Sequence, residues 1–361
     1  MKFTINQKEL LTALSICGKA IGNNIVLANN CYRLTLAKQL TVTACNNQVS
    51  ISTKVDAKGD NCDFLMPSHI KTWVASLADQ PLTFEVEALD LDYKIRIISA
   101  SGNCDFVGYA AKDFPTINTD AGNTAVIDFA DLTAALYRTS YSTLSDNTEN
   151  VLNHLSLELD ETGAQFVGYN GVIFALYRFG GDFKPTELML PDAFVSAIGG
   201  LTVTGECNMV YSDKNISLTI GDIEVKSILA GGKYIAYKHG LGIPPDKALC
   251  NRIELINSIK RVLMFAKKTG QMVQLQFSQL GIQIFADDVE MKNAAKETVA
   301  ATCTADLLIG FNGMMAIEAL NHLSGENVEI SYSDPKKWLL FHNSIELEND
   351  CYSMIAPMVI K

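Results

Sequence analysis

The feature that most limits what this chain can fold into is a period of about sixty residues. Residues 307–334 show the repeating unit most openly. Leu308 to Phe311 are a short apolar run of buried-strand type. Asn312 stands where a helix N-cap belongs. Met314, Ile317 and Leu320 then recur on one helical face, with Leu323 near its edge, and Ser324-Gly325 stops the helix. Val328, Ile330 and Tyr332 alternate with polar residues, as a strand does. Comparable units open near Lys2, Cys62, Ala125, Thr186 and Lys247, so that successive starts lie 60, 63, 61, 61 and 60 residues apart. Six modules fill nearly all of the 361 residues.

Each module reads as one helix plus about four strands. Two modules make a plausible domain of about 120 residues, and three such domains fit a length too great for one ordinary core. The expectation is an α+β fold of three similar domains, 1–121, 122–244 and 245–361, with helices packed on sheets. The first helix starts at Asn6, turns Leu10, Leu14, Cys17 and Ile21 inward, and ends at Gly22-Asn23-Asn24. The second starts at Pro67 and buries Ile70, Trp73 and Leu77. The others are expected over 130–142, 192–201 and 253–268, and after Asn312.

Hydrophobic residues make up 48% of the chain, enough to build real cores, and the modest 19% of charged residues argues against disorder. The net charge of −11 opposes phosphate binding if spread evenly, so the charge has to be divided by element. The six expected helices hold eight basic and five acidic residues, a net of +3, which leaves −14 on strands and loops. Helices sharing one surface would bring that surface near polyanionic DNA. Lys and Arg are equally good helix formers on any solvated face, and the count alone does not separate these readings.

Nine scattered cysteines without a C-x-x-C pair suit a reducing compartment, where Cys serves as a small buried hydrophobe. Five histidines show no ligand spacing with them, and no Gly-rich phosphate loop is present, so no metal or cofactor is expected. MKFTINQKELL lacks an export segment and no run of 18 apolar residues occurs, so the expected location is the cytoplasm, away from membranes.

The six-fold period, paired into three domains, resembles the bacterial DNA polymerase III β subunit, the sliding-clamp family. Local matches run along the chain. MKFTINQKELLTAL is similar to the family's start, and Asp113-Phe114-Pro115 to its D-F-P. Residues 145–153, SDNTENVLN, resemble its S-x-D-E-T-R-x-x-L-N-G segment. Gly310-Phe311-Asn312 followed by Glu326-Asn327-Val328 resembles G-F-N…E-N-V, and Ala356-Pro357-Met358 its M-P-M ending.

The resemblance implies a head-to-tail homodimeric ring with sheets outside and helices lining the hole. The ring would encircle double-stranded DNA and tether a polymerase, without chemistry of its own. Lys8, Lys19, Lys71, Arg138, Arg261 and Lys268 would then face the DNA. Phosphate contacts position without reading sequence, and weak ones permit sliding. The implied partners are DNA polymerase III, the clamp loader and other proteins that carry a short clamp-binding peptide. The implied peptide pocket has Leu152, Gly171, Phe174, Ile235, Pro357, Met358, Val359 and Ile360 in its wall. An apolar tail of this kind also suits a last edge strand packed on the core.

Three departures from the family pattern bear on contacts. Val172-Ile173 replace His-Arg after the pocket glycine, Glu149 replaces the arginine of the S-x-D-E-T-R loop, and Asn23-Asn24 replace a basic residue after the first helix. Weaker phosphate contacts and a different peptide preference would follow, as would suit a divergent lineage or a mobile element.

A competing enzymatic reading rests on Ser68-His69-Ile70-Lys71, Ser145-Asp146-Asn147 and Lys268-Thr269-Gly270, in the order found in serine β-lactamases and penicillin-binding proteins. Ser68 would be the nucleophile, Lys71 its helper one helical turn on, and Ser145 and Lys268 would serve the substrate. Context opposes it. Lys268-Thr269-Gly270 falls at a helix end where that chemistry needs a strand, no export signal is seen, and five equivalent helix starts lack the motif.

Overall fold

The computed structural model describes residues 1–22, 26–90, 92–119, 121–146, 148, 150–238, 242–288, 290–343 and 351–360. Each module opens with a strand that leads into a helix, directly or within two residues. The opening strands are Lys2–Asn6, Cys62–Pro67, Asn123–Asp128, Thr186–Leu190, Asp246–Asn251 and Leu307–Asn312. The helices are α1 (Gln7–Cys17), α2 (Ile70–Ala75), α3 (Phe129–Thr139), α4 (Asp192–Gly199), α5 (Arg252–Leu263) and α6 (Gly313–Asn321). Asparagine makes three of these corners. Asn6 accepts from the N–H groups of Lys8 and Glu9, Asn251 from that of Glu254, and Asn312 from that of Met315. Each side-chain oxygen satisfies donors that a first helical turn leaves unpaired.

Modules exchange their opening strands in pairs. Lys2–Asn6 of the first pairs with Pro81–Ala88 of the second, and Cys62–Pro67 of the second with Cys31–Leu36 of the first. The third and fourth modules do the same through Asn123–Asp128 with Glu206–Tyr211 and Thr186–Leu190 with Leu155–Asp160. The fifth and sixth do so through Asp246–Asn251 with Asn327–Tyr332 and Leu307–Asn312 with Met272–Ser278. Inside their own modules Lys2–Asn6 and Asp246–Asn251 meet only the short strands Lys58–Gly59 and Ala301–Cys303, so the ladder to the partner module supplies most of each opening strand's pairing.

The described chain divides into two compact units, Met1–Leu132 with Pro191–Gly231, and Thr133–Leu190 with Gly232–Lys361. The first holds a thirteen-stranded antiparallel sheet, and the second a nine-stranded and a four-stranded sheet. In the first unit, Val49–Val55 of the first module pairs with Ile223–Ile228 of the fourth. In the second, Ile173–Gly180 of the third module pairs with Cys351–Ile355 of the sixth. Both joins use the third strand that follows a module's helix.

The same strand of the second module, Gly102–Tyr109, is paired in full along one edge only. Its other edge meets Cys62–Pro67 at the single pair Leu65 and Tyr109. Asn293–Val299 of the fifth module has one partner strand among the described residues. All nine cysteines are free, most of them buried, and burial pushes the Cys31, Cys62 and Cys207 thiols up to about 11.

Three local expectations need correction. Pro67 ends a strand, paired to Cys31, and α2 begins only at Ile70 after a turn closed by Lys71 N–H on the Ser68 carbonyl. Val74, four residues on from Ile70, therefore fills the inner position expected of Trp73. Met314 is half exposed, and Ala316, Ile317, Ala319 and Leu320 form the buried face of α6. α5 stops at Leu263, where tightened turns from Phe265 to Val262 and Ala266 to Leu263 end the regular ladder. Lys267 and Lys268 thus lie beyond it, as Lys19 lies beyond α1, while Arg252 falls inside α5, so the six helices hold six basic and five acidic residues instead of eight and five. Asn23 and Asn24 lie outside the described residues.

Candidate functional site

The join inside the second unit carries an apolar face. Two rows of side chains cross four strands there. Tyr169, Phe174, Met354 and Leu340 follow one another in register, and Val167, Leu176, Tyr352 and His342 form the row beside them. Strand alternation puts all eight on one side. Phe174, Leu176, Val167, Met354 and Leu340 pack into one cluster with Tyr237, and Ile235 and Trp338 pack against it. Phe174 meets the Tyr237 ring at 5.4 Å between centroids, and Trp338 meets Tyr169 at 6.1 Å. The strand Ile173–Gly180 is apolar on both faces, because Ala175 and Tyr177 fill the core behind.

The equivalent join in the first unit has the same topology and different chemistry. Its rows are Cys45, Ser50, Lys226, Ser217 and Thr43, Ser52, Glu224, Thr219. Hydroxyls and a Lys226–Glu224 ion pair stand where the other join has aromatic and aliphatic groups. The backbone is common to both joins, so the side chains alone make one of them apolar.

The chain's last residues edge the apolar face. Ala356 N–H donates to the Val172 carbonyl at 2.9 Å, and Met358 N–H donates to the Gly310 carbonyl at 2.7 Å. Beyond Cys351–Ile355 the tail makes one isolated bridge, Gly310 to Met358, instead of a continuous edge strand. Gly310 lets it approach: a Cβ there would fall 3.0 Å from Ile360 Cγ1 and 3.2 Å from the Met358 carbonyl oxygen. Pro357 is half-buried and Val359 is 80% exposed. Gly171, at φ +93, accepts from the Tyr169 hydroxyl and sits in the turn just ahead of Ile173.

Leu152 is not in a strand. It lies in the 3-10 turn Val151–Asn153, with its N–H on Asn150 Oδ1 and its carbonyl accepting from Leu144. Phe174 and Ile235 share one side of this unit with Tyr169, Tyr237, Trp338 and Met354, which sequence reading did not single out for the pocket, and the tail follows on from the strand that carries Met354. The available signal was apolar residues at both alternating positions of the strand, which marks an outer face that is covered or bound.

A polar chain closes one end of the face. Gln165 Nε2 donates to the Tyr237 hydroxyl, which donates to Glu158, each at 2.6 Å, and Lys238 pairs with the same carboxylate. Burial first, and then the Glu158 carboxylate, hold Tyr237 far above the usual phenol range. Its hydroxyl is a fixed donor.

The basic residues fall into two groups. Lys19 lies over the C-terminal end of α4, where a Cβ on Gly200 would fall 2.9 Å from its Cδ, and Lys71 Nζ is 3.8 Å from the same position on Gly18. Lys8, Lys19 and Lys268 are exposed and Lys71 half-exposed, and none is in an ion pair among the described residues. Arg138 and Arg261 are committed within the protein. Arg138 donates to the His322 carbonyl at 3.1 Å and lies over the Tyr177 ring at 5.4 Å. Arg261 holds Glu297 in a two-point pair at 2.6 Å.

The short enzymatic motifs sit in ordinary local structure. Lys268-Thr269-Gly270 lies in a turn, closed by Gln271 N–H on Lys267, with Gly270 at φ +87. Asp146 is held by Thr148 and Asn153, whose hydrogen bonds keep its carboxyl below the usual range. Asn147 and Glu149 lie outside the described residues. Ser68 and Lys71 flank an ordinary helix start.

Comparison with known proteins points one way. The profile of the DNA polymerase III beta subunit, C-terminal domain, matches residues 244–359. The beta sliding clamp of Vibrio cholerae is 22% identical over 351 residues, spanning 95% of this chain and 96% of that protein. That of Pseudomonas putida is 23% identical over 373 residues, spanning 99% and 100%. The DNA polymerase III subunit beta of Pseudomonas aeruginosa superposes with a TM-score of 0.92 at 21% identity, and the sliding clamp of Bacillus subtilis with 0.93 at 15%. Each structural match covers 100% of both chains.

Proposed function

We propose that this chain, a divergent member of the bacterial DNA polymerase III β-subunit family, is a DNA sliding clamp, a processivity factor that holds a polymerase on duplex DNA and catalyses no reaction. The observation that carries this reading is the match of the whole six-module fold to clamp structures. The serine acyl-enzyme alternative has no support in the relatives or in the fold. Three domains, 1–121, 122–244 and 245–361, are the division that the reciprocal strand exchange within module pairs favours. Replication of DNA would place the protein in the cytoplasm.

A ring needs a second copy, and the strand edges suggest how it closes. Four of the six third strands pair with the third strand of another module, whereas Gly102–Tyr109 and Asn293–Val299 make no such join among the described residues. Pairing one copy's Gly102–Tyr109 with the other's Asn293–Val299 repeats the antiparallel join already used twice, and does so head to tail. Val107 and, beside α5, Met264 and Phe265 are exposed apolar groups suited to such a seam. Of the six expected DNA-facing residues, Lys8, Lys19, Lys71 and Lys268 are in no ion pair among the described residues and are offered to phosphate. The apolar face bounded by the tail is the proposed pocket for peptides of the polymerase, the clamp loader and other partners.

Topology tests the reading. After treatment with a clamp loader and ATP, the protein should stay on nicked circular DNA and run off once that DNA is linearised. Equal retention on both forms would refute encirclement.

A further inference from the structure

The join of the first unit carries a groove of its own. Arg33, Thr43, Ser52 and Glu224 follow one another in register across four strands, so that two hydroxyls lie between a cation and a carboxylate. Strand alternation sets all four on one side, with Thr41 and Lys226 in the rows beside them. Residues 114–118 form a wall, and the groove measures about 280 Å3. That wall is anchored: Phe114 and Ile117 are buried in one cluster with Cys31, Cys45 and Leu65, and the Arg33 guanidinium lies over the Phe114 ring at 5.9 Å. The segment that carries Tyr234, Ile235 and Tyr237 packs against the apolar join of the second unit, so the two joins share this plan as well.

The wall offers backbone without a partner. Phe114 is extended, at φ −70 and ψ 128, and the chain beyond it belongs to no strand. The N–H groups of Thr116, Ile117 and Asn118 meet no acceptor among the described residues. Open main-chain donors beside a sheet face are what an added extended segment pairs with. The floor offers hydroxyls. Those of Thr41, Thr43 and Ser52 are half-buried and make no hydrogen bond to protein among the described residues. Charge in the groove is already matched: Asp63 holds Arg33 at two points, and Glu224 holds Lys226 at 2.9 Å. An entering charge of either sign gains from one member of a pair what it loses to the other. An amide or a hydroxyl can donate and accept there without separating the pairs. We propose that this groove is a second docking site, distinct from the apolar face, for an extended segment of a partner protein with uncharged polar side chains (Ser, Thr, Asn or Gln). Main-chain hydrogen bonds to residues 116–118 supply the affinity, and the hydroxyl floor with its closed ion pairs supplies the selectivity. The proposal stands on the groove alone and is independent of the clamp reading.

The test uses three capped decapeptides, one of alternating Thr and Gln and two with Glu or with Lys in place of Gln, titrated against the full chain. Isoleucine methyl resonances report the place of binding, Ile117 for this groove and Ile235 for the apolar face. The neutral peptide should shift Ile117 saturably, leave Ile235 unmoved, and bind about fivefold tighter than either charged peptide. Thr43→Val/Ser52→Ala should weaken it by about fivefold at an unchanged melting temperature, and a chain lacking residues 358–361 should bind it as the parent does. Two further versions of the neutral peptide, N-methylated on one or the other alternating set of residues, test the main-chain pairing without altering the protein. One of the two should lose binding, since only one set faces the wall. Absence of a saturable shift at Ile117, a shift at Ile235 in its place, or equal binding of the three peptides overturns the proposal. So does undiminished binding by a folded Thr43→Val/Ser52→Ala chain or by both N-methylated peptides.

Discussion

Arg138 and Lys71 both lie on helices whose opening strands are equivalent, and their surroundings give them different work. The Arg138 guanidinium is drawn to a carbonyl and a tyrosine ring, with its Nε buried. A planar fork with a long stem suits that position, whereas the compact Lys71 ammonium stays at the surface. Arg138→Ala should therefore cost about 1–3 kcal/mol of folding stability, by thermal or denaturant unfolding, with little change in DNA affinity. Lys71→Ala should leave unfolding unchanged and lower the salt dependence of DNA binding by about one unit of slope.

Asp63 gives a pH prediction at the same scale. Its hydrogen bonds from Arg33, opposed by partial burial and helped by Thr35, hold its carboxyl below the ordinary range. A carboxylate whose pKa is lower in the folded than in the unfolded chain stabilises above the unfolded value and loses that contribution as pH falls through the folded one. Unfolding midpoints should therefore fall more steeply below about pH 4 in the parent than in Asp63→Asn. Parallel curves would show that the pair contributes nothing.

At the scale of elements, one design serves two purposes. Third strands join modules in both units, and only the residues alternating outward decide whether the join is a hydroxyl-rich face or an apolar one. The tail leads away from the apolar one, held by Ala356 on Val172 and by Met358 on Gly310. Deleting residues 358–361 should abolish binding of a polymerase-derived peptide while leaving the dimer and the melting temperature nearly unchanged, because Cys351–Ile355 keeps its ladder. Gly310→Val should weaken peptide binding in the same direction by pushing Ile360 and Met358 off their seat. Calorimetry with wild-type affinity for either variant would remove the tail from the pocket.

For the whole molecule, the free edges of Gly102–Tyr109 and Asn293–Val299 carry the oligomer prediction. Phe106→Asp with Val107→Asp should place charge in the proposed seam and halve the mass in solution. The separated chains should keep their melting transition but not their retention on circular DNA. A dimer of unchanged mass would put the seam elsewhere.

The sequence by itself determined the period, the strand-to-helix corners other than that before α2, and most strand positions. These are local properties, set by alternation and by caps such as Asn312 that act within one turn. The family resemblance, matched by position, marked the tail and Phe174 as candidates for a peptide pocket. Only the tertiary structure decided which module lends its strand to which, that Tyr169, Trp338 and Met354 meet Phe174, and that Arg138 and Arg261 are held by protein partners. Such outcomes depend on residues from 36 to 184 positions apart coming together, and a pattern that repeats every sixty residues looks the same whichever copy becomes its neighbour.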